Sequence, residues 1–201
     1  MTRTTRYKIQ YAVAIGLCVL LAVAVWWQLR DRPMLLVAVA VVCFIPGRLS
    51  GGLWRDLYRG RRLHDLGQFE ASIEASQRFV RLLKARPNLR RYWWLAWAIY
   101  SRDPLAMAHN NIGASQLELG ELENAESSLQ EALNADPEYP IPHYNLAVLY
   151  TIQKQSVKAE EHANSAVRLG YPRNAVDRLL QDVARLLARI EGRGQGPRTG
   201  V

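Results

Sequence analysis

One short segment of this chain is read twice, 34 residues apart. His109, Asn111, Ala125, Glu126 and Ala132 recur as His143, Asn145, Ala159, Glu160 and Ala166. Between these identities the apolar slots repeat in kind: Ile112 with Leu146, Gly113 with Ala147, Leu133 with Val167. A fixed period of this length implies stacked helical hairpins, none able to bury its apolar face alone. Stacks of that sort bind other molecules far more often than they catalyse.

A second feature sits at the N-terminus. From Ile9 to Leu29 the chain carries no charge, and Gln10 and Gln28 are its only amides. A helix of that length rises ~30 Å, the thickness of a hydrocarbon core. Arg3, Arg6 and Lys8 precede the run, as in a secretory signal peptide. Against that reading, the run is long and is followed by Trp26-Trp27-Gln28-Leu29-Arg30, not a small-residue cleavage site. A lipoprotein signal is also not expected, because Leu17 precedes Cys18 and apolar residues follow it. The segment is therefore expected to anchor the chain in a membrane.

A second apolar run, Met34 to Ile45, ends at Pro46-Gly47-Arg48. Extended to Pro33 through Leu49 it reaches the lower limit for a span, with Arg48 snorkelling to the interface. The rival is a re-entrant or buried half-helix. The two place the C-terminal domain on opposite sides. Five arginines and one acid, Asp56, lie between Arg48 and Arg62, and three cations precede the first run. Positive charge at both ends favours two spans with both termini cytoplasmic. Cys18 and Cys43, the two cysteines, fall in the apolar runs, where a thiol acts as a small hydrophobe. They give no disulfide framework and no sulfur metal site.

The net charge of +8 conceals a segregation. Residues 48–102 carry +8 and residues 103–153 carry -8, with no Lys or Arg between Arg102 and Lys154. A basic zone beside an anchor is what anionic lipid headgroups favour. Nucleic acid is not expected, because the basic zone is juxtamembrane and no nucleic-acid module can be read.

Helix punctuation is clearest in the acidic zone. Asp103-Pro104 reads as an N-cap followed by proline at the first helical position, and apolar residues then run to Gly120. A second helix carries Leu122, Ala125, Leu129, Ala132 and Leu133 inward and ends at Asp136-Pro137. The next pair runs from about Pro142 to Ile152 and from about Ser156 to Leu169, closed by Gly170-Tyr171-Pro172. A last amphipathic helix is expected from Arg173 to about Ile190, with Val176, Leu179, Leu180, Val183, Leu186 and Leu187 at helical spacing. From Gly192 the tail has no periodicity and reads as disordered.

These slots resemble the tetratricopeptide-repeat family. Its pattern of apolar-small pair, turn glycine, small alanine, bulky apolar residue and closing proline is met by Ile112-Gly113, Gly120, Ala125, Leu129 and Pro137. The second copy has Leu146-Ala147, Tyr150, Lys154, Ala159, Ala163 and, one residue late, Pro172. His109 and His143 stand where the family has an aromatic, Gln116 where it has another, and Ala163 where it has a bulky residue. The resemblance covers roughly 105–172. Upstream, Gly60 and Gly67 stand 53 residues before Gly113 and Gly120, one repeat plus 19, and Gly67 to Ile73 looks like the family's turn into its second helix. A degenerate hairpin is expected there. The extra residues hold Arg90 to Tyr100, apolar all round between two arginines and a tyrosine, which must be covered either by the solenoid or by the membrane interface.

The expected fold is all-α: a transmembrane helical hairpin, then a short right-handed solenoid of tetratricopeptide type with a C-terminal capping helix. The expected division is an anchor over 1–52 (spans 9–29 and 33–49), a degenerate hairpin over 53–86, an aromatic insertion over 87–104, repeats over 105–138 and 139–172, a cap over 173–191 and a tail over 192–201.

Chemistry is not legible. His109 and His143 are a repeat apart, and no nearby acid or cysteine completes a ligand set, so both read as fillers of one internal slot. His64 and His162 read as solvated. No phosphate-cradling loop or nucleophile signature is present, and Glu118, Glu121, Glu123, Glu126 and Glu131 read as a solvated face. No catalytic residue, metal or cofactor is expected.

The resemblance implies a concave groove lined by first helices: Met107, Asn110, Asn111, Ala114, Leu117 and Glu118 in one repeat, and Ile141, Tyr144, Asn145, Val148, Thr151 and Ile152 in the next. Some relatives clamp a terminal carboxylate with cations in these slots; none stands in them here. Asn111 and Asn145 fit either an interhelical hydrogen bond or a ligand contact, whereas Asn110 and Tyr144 fall outside the packing slots and are expected to be exposed. The expected partner is a protein or peptide, with membrane lipid along 9–49 and the basic segment beyond. The expected setting is a bacterial inner membrane with the repeats cytoplasmic. The rivals are a structural subunit with a self-filled groove, and a periplasmic solenoid on one span.

Overall fold

In the computed structural model of the chain the described residues are 3–32, 54–90 and 103–178, with a few single positions outside them. Among these, every regular element is a helix. Helix α1 spans Arg3–Leu29. Its stretch Ile9–Leu29 has a mean hydropathy of 2.3, is not buried against the rest of the chain, and is the one helix among the described residues long and apolar enough to cross a membrane. Most of the second apolar run, the aromatic segment from Arg91 to Tyr100, and the chain beyond 183 lie outside the described residues.

Among the described residues six helices follow as three hairpins: α2 (Arg55–Asp65) with α3 (Phe69–Ala85), α4 (Pro104–Glu118) with α5 (Leu122–Ala135), and α6 (Pro140–Ile152) with α7 (Ser156–Arg168). Residues 173–178 begin a further helix. Helix α4 starts where Asp103 accepts the Leu105 amide at 2.8 Å with Pro104 behind it. Helix α6 starts at Pro140, two residues ahead of the sequence-based expectation, because extended Tyr139 delivers that proline to the first turn.

One device ends each first helix. Gly67, Gly120 and Lys154 occupy equivalent positions and share a left-handed backbone, with φ of 73°, 76° and 60°. The next residue then donates its amide back to the last turn, from Gln68 to Leu63, Glu121 to Gln116 and Gln155 to Tyr150. Gly170 and Tyr171 repeat the geometry after α7. These caps satisfy carbonyls that the helix leaves unpaired and aim the chain straight into its antiparallel partner.

Each core cluster bridges neighbouring hairpins. Trp54, Leu57, Phe79, Val80 and Leu83 of the first close on Ala108 and Ile112 of α4. Ala125, Leu129 and Leu133 of α5 close on Leu146, Leu149, Tyr150 and Ala159. Ala147 and Ala163 close on Val176 of the following helix. Within the second hairpin the backbones approach so closely that a Cβ on Gly113 would lie 2.7 Å from Leu129 Cγ and 3.2 Å from the Ala125 carbonyl oxygen. Gly60 faces Ser76 in the same way, and Ala147 holds that slot, fully buried, in the third hairpin. No hairpin owns a complete core, so the stack folds as a unit.

Candidate recognition groove

The first helices α2, α4 and α6 lie along one side of the stack and enclose a cavity of about 260 Å³. Its walls are Asn110, Asn111, Ala114, Leu117 and Glu118 of α4 and Ile141, Tyr144, Asn145 and Val148 of α6, with Arg61 and His64 of α2 at one end and Tyr171 at the other. Met107 lies outside it, packed against the Trp54–Phe79 core, and Thr151 lines a different hollow while donating to the Ala147 carbonyl at 2.7 Å.

The amides hold the wall in a repeating register. Asn145 Nδ2 donates to Asn110 Oδ1 at 3.0 Å, and Asn111 Nδ2 donates to the Leu57 carbonyl at 3.5 Å. Asn111 and Asn145 are one repeat apart, and each reaches the residue just before its own counterpart in the preceding first helix. Asn110 is only 2% exposed, unlike the exposed side chain that its place outside the packing slots suggests. The reason is a partner across the helix interface: a buried amide is retained where its hydrogen bond is made.

At the α2 end a polar chain threads three helices. Ser72 Oγ donates to the Gly60 carbonyl at 2.8 Å, Ser115 Oγ donates to Ser72 Oγ at 2.9 Å, and His64 Nδ1 stands 3.1 Å from Ser115 Oγ. With the Ser115 proton already used, His64 must donate through Nδ1, which leaves Nε2 as its acceptor. His64 is thus tied into the fold, not free in solvent. Arg61 meets Asp65 at 3.2 Å one turn on, both side chains largely exposed, so it remains available at the cavity edge. At the other end the rings of Tyr144 and Tyr171 stack with centroids 4.6 Å apart. Burial first, then Tyr171, pushes the Tyr144 hydroxyl up to about 12, so it stays a neutral donor.

The other histidines lie on the side of the stack away from this cavity. His143 Nδ1 and His162 Nδ1 are 2.9 Å apart, with the Tyr150 ring next to His162 and the Tyr150 hydroxyl donating to Glu126 at 2.7 Å. Of the two facing Nδ1 atoms one must donate and the other accept, so the two neutral rings hold opposite roles at this contact. His162 is therefore half-buried and paired, where the sequence suggested a solvated side chain. His109 lines a separate hollow with Gln77, Gln116 and Glu131.

Sequence reasoning passed over Arg61 and His64. The signal was present: they stand 53 residues before Ala114 and Leu117, the same offset that relates the turn glycines. The cavity combines apolar walls, two stacked phenols, inward-locked amides and a charge of each sign at its rim. At 260 Å³ it is below the roughly 300–1,000 Å³ usual for small-molecule sites, and suits the side chains of a docked segment.

Residues 106–139, from α4 through the turn after α5, match the family model described as tetratricopeptide repeat. No curated protein matches the chain.

Proposed function

From the tetratricopeptide-repeat match over residues 106–139, and the protein–protein interaction that such repeats serve in general, we propose a membrane-anchored recognition module. In this reading α1 holds the chain in a membrane, and the solenoid on its cytoplasmic side recruits or organises another protein as scaffold, adaptor or assembly factor. No catalytic step is assigned. The partner presents a helix or extended segment whose apolar side chains enter between Ala114, Leu117, Ile141 and Val148, with a polar group toward Arg61. The single observation that carries the reading is the groove itself: the walls of α4 and α6 are fixed by their own interhelical bonds, so the cavity is preformed and little ordering is needed on binding. The anchoring part rests on Ile9–Leu29, whose apolar side chains include Leu17, Leu20 and Leu21 at more than 60% exposure.

The test fills the groove without touching the core. Ala114 and Val148 are partly exposed wall residues. The doubly substituted Ala114→Arg, Val148→Arg chain should lose co-purification of its main partner in mild detergent while its thermal midpoint moves by only a few degrees. If partner capture survives in a chain that folds normally, the groove is not the recognition surface. If the variant instead melts early in isolation, the groove is filled from within and the protein is a structural subunit.

A further inference from the structure

Among the described residues helix α2 opens the solenoid, and no described hairpin packs on its outward face. On that face Arg55, Tyr58, Arg59 and Arg62, continued by Leu66 at the C-cap, follow one another at steps of one to four residues and fall within one arc opposite Leu57 and Gly60, which are buried. All five are exposed, Tyr58 at 47% and Leu66 at 62%. The acids of the helix are engaged: Asp56 is 3.9 Å from Arg78, and Asp65, at the edge of the arc, is 3.2 Å from Arg61. Among the described residues no carboxylate pairs with Arg55, Arg59 or Arg62. A face made only to solvate a solenoid end mixes charge signs and avoids large apolar groups. This one does the reverse.

We propose that the outward face of α2 docks on anionic lipid headgroups, with Arg55, Arg59 and Arg62 among the phosphates and Tyr58 and Leu66 at the acyl boundary. The proposal rests on the anchored reading above and adds the orientation of the solenoid to it. Two observations favour lipid over a soluble polyanion. The helix begins six residues after Leu49, where the second apolar run ends, so the chain itself delivers α2 to the bilayer surface. The composition, arginines interleaved with an amphipathic ring and a leucine, is that of helices lying in the interface plane. The acidic repeat adds the complementary push. Residues 103–153 carry -8 without one Lys or Arg, so the same surface that attracts α2 repels α4–α6 and stands the groove away from the membrane.

The full chain, with Cys18→Ala and Cys43→Ala, is labelled with a small fluorophore at Leu66→Cys or, as a control, at exposed Glu123→Cys of α5. It is reconstituted in vesicles of phosphatidylcholine alone or with about one-third phosphatidylglycerol. Quenching by a lipid-borne nitroxide is compared with quenching by aqueous iodide. Each arginine near an anionic surface favours the docked state about fivefold. The label at 66 should therefore pass from iodide to nitroxide quenching when the anionic lipid is added, and return in high salt or with Arg55→Gln, Arg59→Gln and Arg62→Gln. The label at 123 should stay open to iodide throughout. A label at 66 that remains as iodide-accessible as the one at 123 in anionic vesicles overturns the docking. Flotation of the vesicles after an alkaline wash separates the two readings. Protein that fails to float overturns the anchor and the docking with it, whereas protein that floats with position 66 in water overturns the docking alone.

Discussion

Lys154 carries the clearest local strain in the solenoid. It adopts φ 60° at the turn position that glycine holds in the other two hairpins, and a side chain in that region costs ~1–2 kcal/mol. Lys154→Gly should therefore raise stability by about 1 kcal/mol, the gain being reduced by the extra freedom of glycine in the unfolded chain. Gly120→Ala should lower it by a similar amount, since its left-handed backbone is strained for any L side chain although nothing crowds the site. Urea unfolding followed by helical circular dichroism reads both. His143 makes a second residue-scale prediction. Burial first, then His162, holds it down to about 4, against an ordinary 6.5. The unfolded chain thus binds a proton between these values that the folded chain refuses. The contribution of the neutral pair is present above about pH 6.5 and is lost as pH falls toward about 4. Burial pushes His109 and His162 in the same direction. Thermal midpoints between pH 7 and 4 should fall more steeply for the natural chain than for His143→Gln; parallel curves would remove His143 from the account.

At the scale of helices, spacing decides more than composition. Ala125 is fully buried where α5 meets α4, and its carbonyl oxygen sits under Gly113. Three extra carbons have no room there, so Ala125→Leu should cost ~1–3 kcal/mol and lower the thermal midpoint whether or not a partner is present. A midpoint equal to that of the natural chain would mean that the hairpin can splay, against the close approach seen at Gly113. Small residues in this slot and left-handed turns were legible because both recur at fixed offsets. The wall amides were half legible. The recurrence of Asn111 and Asn145 marked a shared role, but their acceptors belong to a different helix, and Asn110 has no counterpart of its own type in either neighbouring hairpin. A buried amide and an exposed one look alike in a single sequence; which it becomes depends on what the next hairpin sets against it.

For the molecule as a whole, the arrangement is a charge-segregated stack beside an apolar helix. Two outcomes check the proposed anchoring and topology. Full-length protein should resist alkaline carbonate extraction, whereas protein beginning near Gly52 should be soluble, because both apolar runs end before Leu53. A reporter active only in the cytoplasm should work when fused after Val201, since the five arginines from Arg48 to Arg62 favour retention there. Activity of a periplasm-dependent reporter at the same place would mean that the second run does not span, and the groove would then face the other compartment.

The 34-residue period, the turn glycines and the uncharged run were enough to determine an all-α repeat stack with an apolar helix ahead of it, because each is a local constraint: a helix reports its caps and its buried stripe within a few residues. Tertiary structure alone decided the contents of the groove. Arg61 and His64 enter it from a hairpin whose sequence has drifted, Tyr171 enters from the turn that closes the last hairpin, and Met107 leaves it for the neighbouring core. It also decided that His143 and His162, 19 residues apart, face each other at 2.9 Å. The physical reason is common to all of these. A repeat fixes which face of each helix turns inward, but the chemistry of a surface between helices depends on side chains from different hairpins, and their pairing is set by how the hairpins stack.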